Sequence, residues 1–275
     1  MILIYNAFCD IMNETKHTTS DHTLLTKETI PMKFDRVIAI RNTKTIYRDG
    51  NQCIKCFHDP YSKGDVLSEA LNQSRMESTE LHVPEVFEVS KINGKWSIIM
   101  EFIHGKTMEQ HMAKNPDLMQ NYLEQIVDLQ ILMGKQTVSM LPLQNTLMMK
   151  NIAKSVTDPA LLASYKAKLG ALSGDMHVCH GLLEPSNIII TDDGVPYLLD
   201  WMGASVGSIA VDAAASFLSL QLRYHQEIAE QYLHTFCQKI KMETAHVREW
   251  IPLVAASRLA TANFDEREYY QALSE

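Results

Sequence analysis

At Gly105 the pattern of this chain changes, and the change limits what it can fold into more than any other feature. Between Phe34 and Ile103 the apolar residues fall in short runs, DRVIAI, TKTIYRDGNQCIKCF, HVPEVFEV and KWSIIMEFI. Runs of this length read as strands, with Arg48-Asp49-Gly50-Asn51 and Lys91-Ile92-Asn93-Gly94 turning between them. One piece differs: in SKGDVLSEALNQSRMES, Val66, Leu67, Ala70 and Leu71 form the stripe of a helix. Beyond Gly105 the spacing becomes three or four, and Leu118, Tyr122, Ile126, Leu129 and Met133 read as helical core. Pro142 and Pro159 mark two further helix starts. SIAVDAAASFLSLQLRYHQEIAEQYLHTFCQKIK is helical, and ETAHVREWIPLVAASRLATA is a helix pair or one helix kinked at Pro252. The patterns predict an α+β chain: a small sheet lobe with one helix over residues 31–103 and a larger, mainly helical lobe over 104–275. Residues 1–30, a short apolar patch followed by MNETKHTTSDHT, read as an extension without chemistry of its own.

Composition excludes several classes. With 275 residues, 46% hydrophobic and 21% charged, the chain has ordinary globular make-up. A formal net charge of -8 argues against a nucleic-acid or anionic-membrane partner, which needs clustered Lys and Arg, and is compatible with a cationic ligand. The five cysteines are an odd set, and Cys53 and Cys56 sit inside an apolar run, so reduced thiols in a cytoplasmic protein are expected. MILIYNAF is short, lacks a basic flank and runs into Asp10 and Glu14, which predicts neither a signal peptide nor a membrane span.

Within the helical half lies a segment of another kind, HVCHGLLEPSNIIITDDGVPYLLDWMGA, residues 177–204. Two apolar runs, Ile188 to Ile190 and Tyr197 to Leu199, flank an Asp193-Gly194 turn. Asn187 and Asp200 are equally distant from that turn, so antiparallel pairing predicts them face to face, about 5 Å apart at Cα. An amide and a carboxylate converging there suit magnesium, a hard cation that takes oxygen ligands and keeps waters and phosphates besides. The same two residues also serve as plain caps on strand ends, and the pair alone favours that plainer reading. In QCIKCF, alternation puts Cys53, Lys55 and Phe57 on one face. A lysine so placed either snorkels to water or is held over a ligand. Glu69, beside the helical stripe, either faces water or reaches back to that lysine.

At this point the residues carry a resemblance. HGLLEPSN followed by IIITDDGVPYLLDW resembles the His-Gly-Asp-x-x-x-x-Asn motif, hairpin and Asp-Trp of the aminoglycoside phosphotransferase and choline kinase-like family. IKCF is similar to that family's lysine-bearing strand, LSEAL to the helix whose glutamate pairs with the lysine, and VPEVFEV with IIMEFIHGKTM to its last strands, hinge and first helix of the second lobe. VGSIAVDAAA resembles the following segment, with Asp212 at a structural aspartate, and the likeness spans roughly residues 35–220. It implies a two-lobed, protein-kinase-like fold, an antiparallel-sheet lobe over a helical one. It also implies ATP, or another nucleoside triphosphate, with Mg2+, and phosphoryl transfer to a hydroxyl of a small molecule. Carried over by position, Lys55 holds the α and β phosphates, Glu69 orients Lys55, backbone groups from Glu101 to Ile103 receive adenine, and Asn187 and Asp200 bind magnesium. His180 becomes a structural histidine of the loop.

Two departures qualify that activity. Leu182 stands where the family's catalytic aspartate belongs, and an aliphatic side chain neither orients a hydroxyl nor takes its proton. General-base help contributes about 10²- to 10⁴-fold. The resemblance therefore implies a weak or degenerate transferase, or a pseudokinase that binds nucleotide as a regulatory module. Glu184 is the nearest carboxylate, but a two-residue shift moves a side chain further than the roughly 1 Å that catalysis tolerates. The second departure is IRNTKTIY, residues 40–47, which has no glycine where many relatives have a flexible phosphate-covering loop. Thr43, Lys44 and Thr45 offer side-chain donors there instead.

Overall fold

The computed structural model describes residues 36–41, 43–171 and 176–274. The extension expected over residues 1–30, and the boundary near residue 31, lie outside them. The first half of the described chain is a five-stranded sheet: β1 (Arg36–Arg41), β2 (Lys44–Asp49), β3 (Gln52–Phe57), β4 (Val86–Ile92) and β5 (Lys95–Glu101). Their order is β1-β2-β3-β5-β4, with every pairing antiparallel. Local sequence accounts for the hairpins. Asn93 and Gly94 both take positive φ, 48° and 81°, the backbone that a two-residue turn between right-twisted strands requires.

Helix α1 (Lys63–Met76) begins with a capping box in which Ser62 and Asp65 satisfy each other's backbone N–H groups. Val66 and Ala70 pack with Phe57, Ile98 and Met100 on one side of the sheet. The helix is nevertheless rotated from the face that its apolar stripe predicted. Leu67 and Leu71 are 43% and 52% exposed, whereas Glu69, Asn72, Gln73 and Met76 are buried. Both buried amides have a fixed partner: Gln73 donates to the Pro84 carbonyl at 2.8 Å and Asn72 to the Trp201 carbonyl at 3.3 Å. Satisfied hydrogen bonds offset the burial of these amides and orient the helix against simple hydropathy.

The second half is helical: α2 (Met108–Lys114), α3 (Met119–Gly134), α4 (Gln144–Ser155), α5 (Pro159–Gly170), α6 (Ile209–Tyr224), α7 (Gln226–Ile240), α8 (Thr244–Arg248), α9 (Ile251–Leu259) and α10 (Phe264–Leu273). Ile126 and Met133 of α3 are core as the spacing indicated, but Leu118 is exposed in the Pro116–Leu118 turn that precedes the helix. A backbone break at His225, φ 112°, separates α6 from α7. Pro252 sits in the first turn of α9, so the last segment is a pair of helices and not one kinked rod. No helix among the described residues is long and apolar enough to cross a membrane. Cys53, Cys56, Cys179 and Cys237 are free thiols.

Two small sheets hold the segment of interest in this helical half. Strand β6 (Gly105–Thr107) pairs with β8 (Ile188–Thr191), which pairs with β9 (Pro196–Leu198). Strand β7 (His177–Cys179) pairs with β10 (Ser205–Gly207). Gly105 is required by this packing, since a Cβ there would lie 2.3 Å from the Ile190 carbonyl oxygen.

Candidate functional site

The β8–β9 hairpin has a three-residue loop, Asp192-Asp193-Gly194, with Gly194 at φ +85° and the Thr191 N–H donating to the Val195 carbonyl at 3.0 Å. A two-residue turn at Asp193-Gly194 predicts Asn187 opposite Asp200. The observed register is one residue different: Ile188 faces Leu198, and the Leu199 N–H donates to the Asn187 carbonyl at 2.9 Å. The positive-φ glycine closes a longer loop, and the extra residue shifts the pairing. Asp200 follows in a left-handed conformation, φ 67° and ψ 64°. Its carboxylate is directed at β2 and β3, while the Asn187 amide donates to the Leu182 carbonyl at 3.2 Å.

On β3, Lys55 makes a close hydrogen bond to Glu69, which is fully buried, and donates to Asp200 Oδ1 at 2.9 Å. The strand lysine and the helix glutamate expected to meet are therefore partners. A second lysine joins them. Lys44, paired across β2 and β3 with Phe57, places its ammonium 3.0 Å from Oδ1 and 3.1 Å from Oδ2 of Asp200, and 3.8 Å from Glu69 Oε2. Pleating puts Lys44 on the same side of the sheet as Lys55 and Phe57, and both ammoniums lie about the Phe57 ring, at 5.5 and 5.6 Å from its centroid.

These groups set one another's protonation. Burial disfavours an ionised Asp200, but Lys55 and Lys44 outweigh it and hold the carboxyl well below the usual range. Burial also opposes the charge on Lys55, and Asp200 and Glu69 overcome it, raising its pKa. On Lys44, burial and the neighbouring Lys55 prevail and lower the pKa. Burial pushes Glu69 upward.

The loop below is rigidly anchored. Gly181 takes φ +85° and donates its N–H to Asp212 Oδ1 at 2.7 Å, while Gln130 donates to Asp212 Oδ2 at 2.9 Å. His180 is 1% exposed, donates through Nε2 to the Leu199 carbonyl at 2.9 Å, and is held neutral by burial, which lowers its pKa. Leu182 is half-buried beside this anchor. Glu184, the nearest carboxylate in sequence, turns into the helical half: Ser186 donates to it at 2.6 Å, Arg223 Nε at 3.2 Å, and Ser219 closely. Burial works against its ionisation, yet Arg223 and the two hydroxyls keep its pKa below the ordinary value. A carboxylate so engaged is a poor proton acceptor.

At the end of β5, Glu101 donates its N–H to the Glu85 carbonyl at 2.9 Å and Phe102 to the Asn51 carbonyl at 3.0 Å, with Ile103 buried behind them. Phe102 also lies beneath Arg48 of β2, whose guanidinium carbon is 4.3 Å from the ring centroid.

Of the two oxygen donors expected for magnesium, Asp200 is already engaged by an ammonium. Lys44 hydrogen-bonds both carboxylate oxygens of Asp200, while Asn187 donates only its Nδ2 to Leu182 and keeps its Oδ1 as an oxygen donor; no group of three or more His, Cys, Asp or Glu that could hold an ion occurs among the described residues. A dication at Asp200 would compete with the Lys44 ammonium for those oxygens. Sequence reasoning offered Lys44 as a donor to phosphate; its bond to Asp200, and the hold of Ser219 and Arg223 on Glu184, depend on contacts between elements far apart in the chain.

An antiparallel sheet with a lysine-glutamate pair, set before a helical half with an Asn-hairpin-Asp segment, is the two-lobed kinase-like architecture. The model of the phosphotransferase enzyme family matches residues 45–250, and the chain belongs to that family. Among solved structures it is similar to a thermostable mutant of the aminoglycoside phosphotransferase APH(4)-Ia in ternary complex with ADP and hygromycin B: TM-score 0.63, 13% identity, 87% of this chain and 91% of that one covered. It is also similar to the choline kinase LicA from Streptococcus pneumoniae in complex with AMP, with TM-score 0.59, 15% identity and coverage of 90% and 92%. A choline/ethanolamine kinase family protein from Mesorhizobium loti gives TM-score 0.57 and 13% identity, covering 89% of this chain and 88% of its own. At these identities the likeness is one of fold. No curated protein sequence matches the chain.

Proposed function

We propose that this protein binds ATP, or another nucleoside triphosphate, in the cleft beneath β2 and β3, and that it is a degenerate phosphotransferase whose acceptor is a hydroxyl of a small molecule. The observation that carries the reading is Lys55 held between buried Glu69 and Asp200, an ammonium oriented by two carboxylates. Lys55 takes the α and β phosphates, and the Glu101–Ile103 segment, roofed by Arg48 and Phe102, takes the base. With Leu182 in place of a carboxylate, no side chain there orients the acceptor hydroxyl or takes its proton, so transfer is slow. The complexes of the similar APH(4)-Ia with ADP and of LicA with AMP support the binding of a nucleotide. The engagement of Glu184 with Ser219 and Arg223 favours a second reading, a pseudokinase that binds nucleotide and transfers nothing.

Calorimetric ATP titration together with ATP consumption by wild type and Leu182→Asp separates these. The degenerate transferase predicts binding, slow turnover, and a gain of about 10²-fold in the variant. Binding without turnover in either protein points to the pseudokinase. Wild-type turnover that Leu182→Asp fails to raise removes the degenerate reading, and absence of binding in both removes the nucleotide site.

A further inference from the structure

The lysine on β2 is not needed to complete the Lys55–Glu69 pair, yet it is nearly buried and bonded to both oxygens of the one carboxylate expected to receive a metal. Without Lys44, the cluster of Lys55, Glu69 and Asp200 carries one excess negative charge, the condition under which a bound dication is favourable. With Lys44 the two ammoniums balance the two carboxylates. The side chain is also confined. Phe57 and Tyr61 place ring centroids 5.5 and 6.0 Å from its nitrogen, and β2 is hydrogen-bonded on both sides, to Arg41 of β1 and Phe57 of β3.

We infer that Lys44 is a built-in substitute for the divalent cation at this site, so that polyphosphate binding does not require magnesium. This rests on the cleft being a nucleotide site. Lys44 begins β2 immediately after the glycine-free β1–β2 connection, where a phosphate-covering loop would lie, and so a phosphate entering beside Lys55 meets a second ammonium. That ammonium neutralises ligand charge from the protein side, as a metal does from the solvent side. Lys44 then exchanges one oxygen anion, Asp200, for another on the ligand, and Asp200 keeps Lys55.

The test is ATP titration by calorimetry in EDTA and in MgCl2, with wild type, Lys44→Met and Lys44→Arg. Wild type binds ATP in EDTA within about threefold of its affinity in MgCl2. Lys44→Met loses about tenfold or more in EDTA and much less in MgCl2, because the freed carboxylate now accepts the ion. Lys44→Arg, which keeps the charge, retains EDTA binding to within about tenfold. A purely structural lysine would lower thermal stability and weaken both titrations alike, overturning the inference. Wild-type binding in MgCl2 alone also overturns it while leaving the nucleotide site intact. No binding in either buffer removes both.

Discussion

The backbone N–H of Gly181 donates to the buried carboxylate of Asp212 at 2.7 Å, tying the loop that holds Leu182 to helix α6. Gln130 bonds the other carboxylate oxygen and itself accepts from Tyr232, so three helices converge on one turn of backbone. Replacing Asp212 strands the buried Gln130 amide and the partly buried Gly181 N–H. Asp212→Ala is expected to cost about 3 kcal/mol, read as a reduced midpoint in urea denaturation. Asp212→Asn, which keeps an acceptor for Gly181, should cost distinctly less.

Glu69 is fully buried, and Lys55 is its close partner. Lys55→Met leaves that carboxylate with Lys44 at 3.8 Å, and destabilisation of about 3 kcal/mol is expected. The paired change Lys55→Met with Glu69→Leu removes the orphaned charge as well and should recover most of the loss. A double-mutant cycle by chemical denaturation measures this, and an additive double mutant would contradict it.

Arg223, Ser186 and Ser219 keep Glu184 below its ordinary pKa of 4.5 despite burial. A carboxyl whose pKa is depressed on folding adds stability at pH above its unfolded value, and that contribution is lost as pH falls through the folded one. Glu184→Gln should therefore be less stable than wild type by about 2 kcal/mol at pH 7. The difference should narrow as pH falls below about 4, where wild type also becomes protonated. A gap that is independent of pH would show that the ionised form of Glu184 contributes nothing.

The rotation of α1 makes a prediction that apolar content does not. Leu67→Gln and Leu71→Gln should change stability by no more than about 0.5 kcal/mol, while Val66→Ala should cost about 2 kcal/mol. Thermal denaturation of the three variants decides whether the polar residues or the leucines of this helix face the protein.

Elements were legible wherever local chemistry dictates them. The Asn93-Gly94 turn, the presence of α1 and the strand alternation that unites Cys53, Lys55 and Phe57 all depend on neighbours in sequence. The hairpin's existence was equally clear, but not its register, because a glycine with positive φ serves a two-residue turn and a three-residue loop alike. The stripe on α1 misled because hydropathy carries no record of the Pro84 and Trp201 carbonyls that bind Gln73 and Asn72. Lys44 and Asp200 are separated by 156 positions, and nothing in TKTIY distinguishes a lysine bound to a distant carboxylate from one in water. The short helix α10 was also missed: its capping box of Asn263 and Glu266 is a readable signal, but its sequence carries little apolar periodicity.

The absence of glycine between Ile40 and Tyr47 has a kinetic consequence. A cation carried by a strand that is paired along both edges is in position before any ligand arrives, so little backbone entropy is lost on binding. For a nucleotide bound as proposed, association need not wait for a loop to close, and residence time is governed by how readily Lys44 returns from the ligand to Asp200.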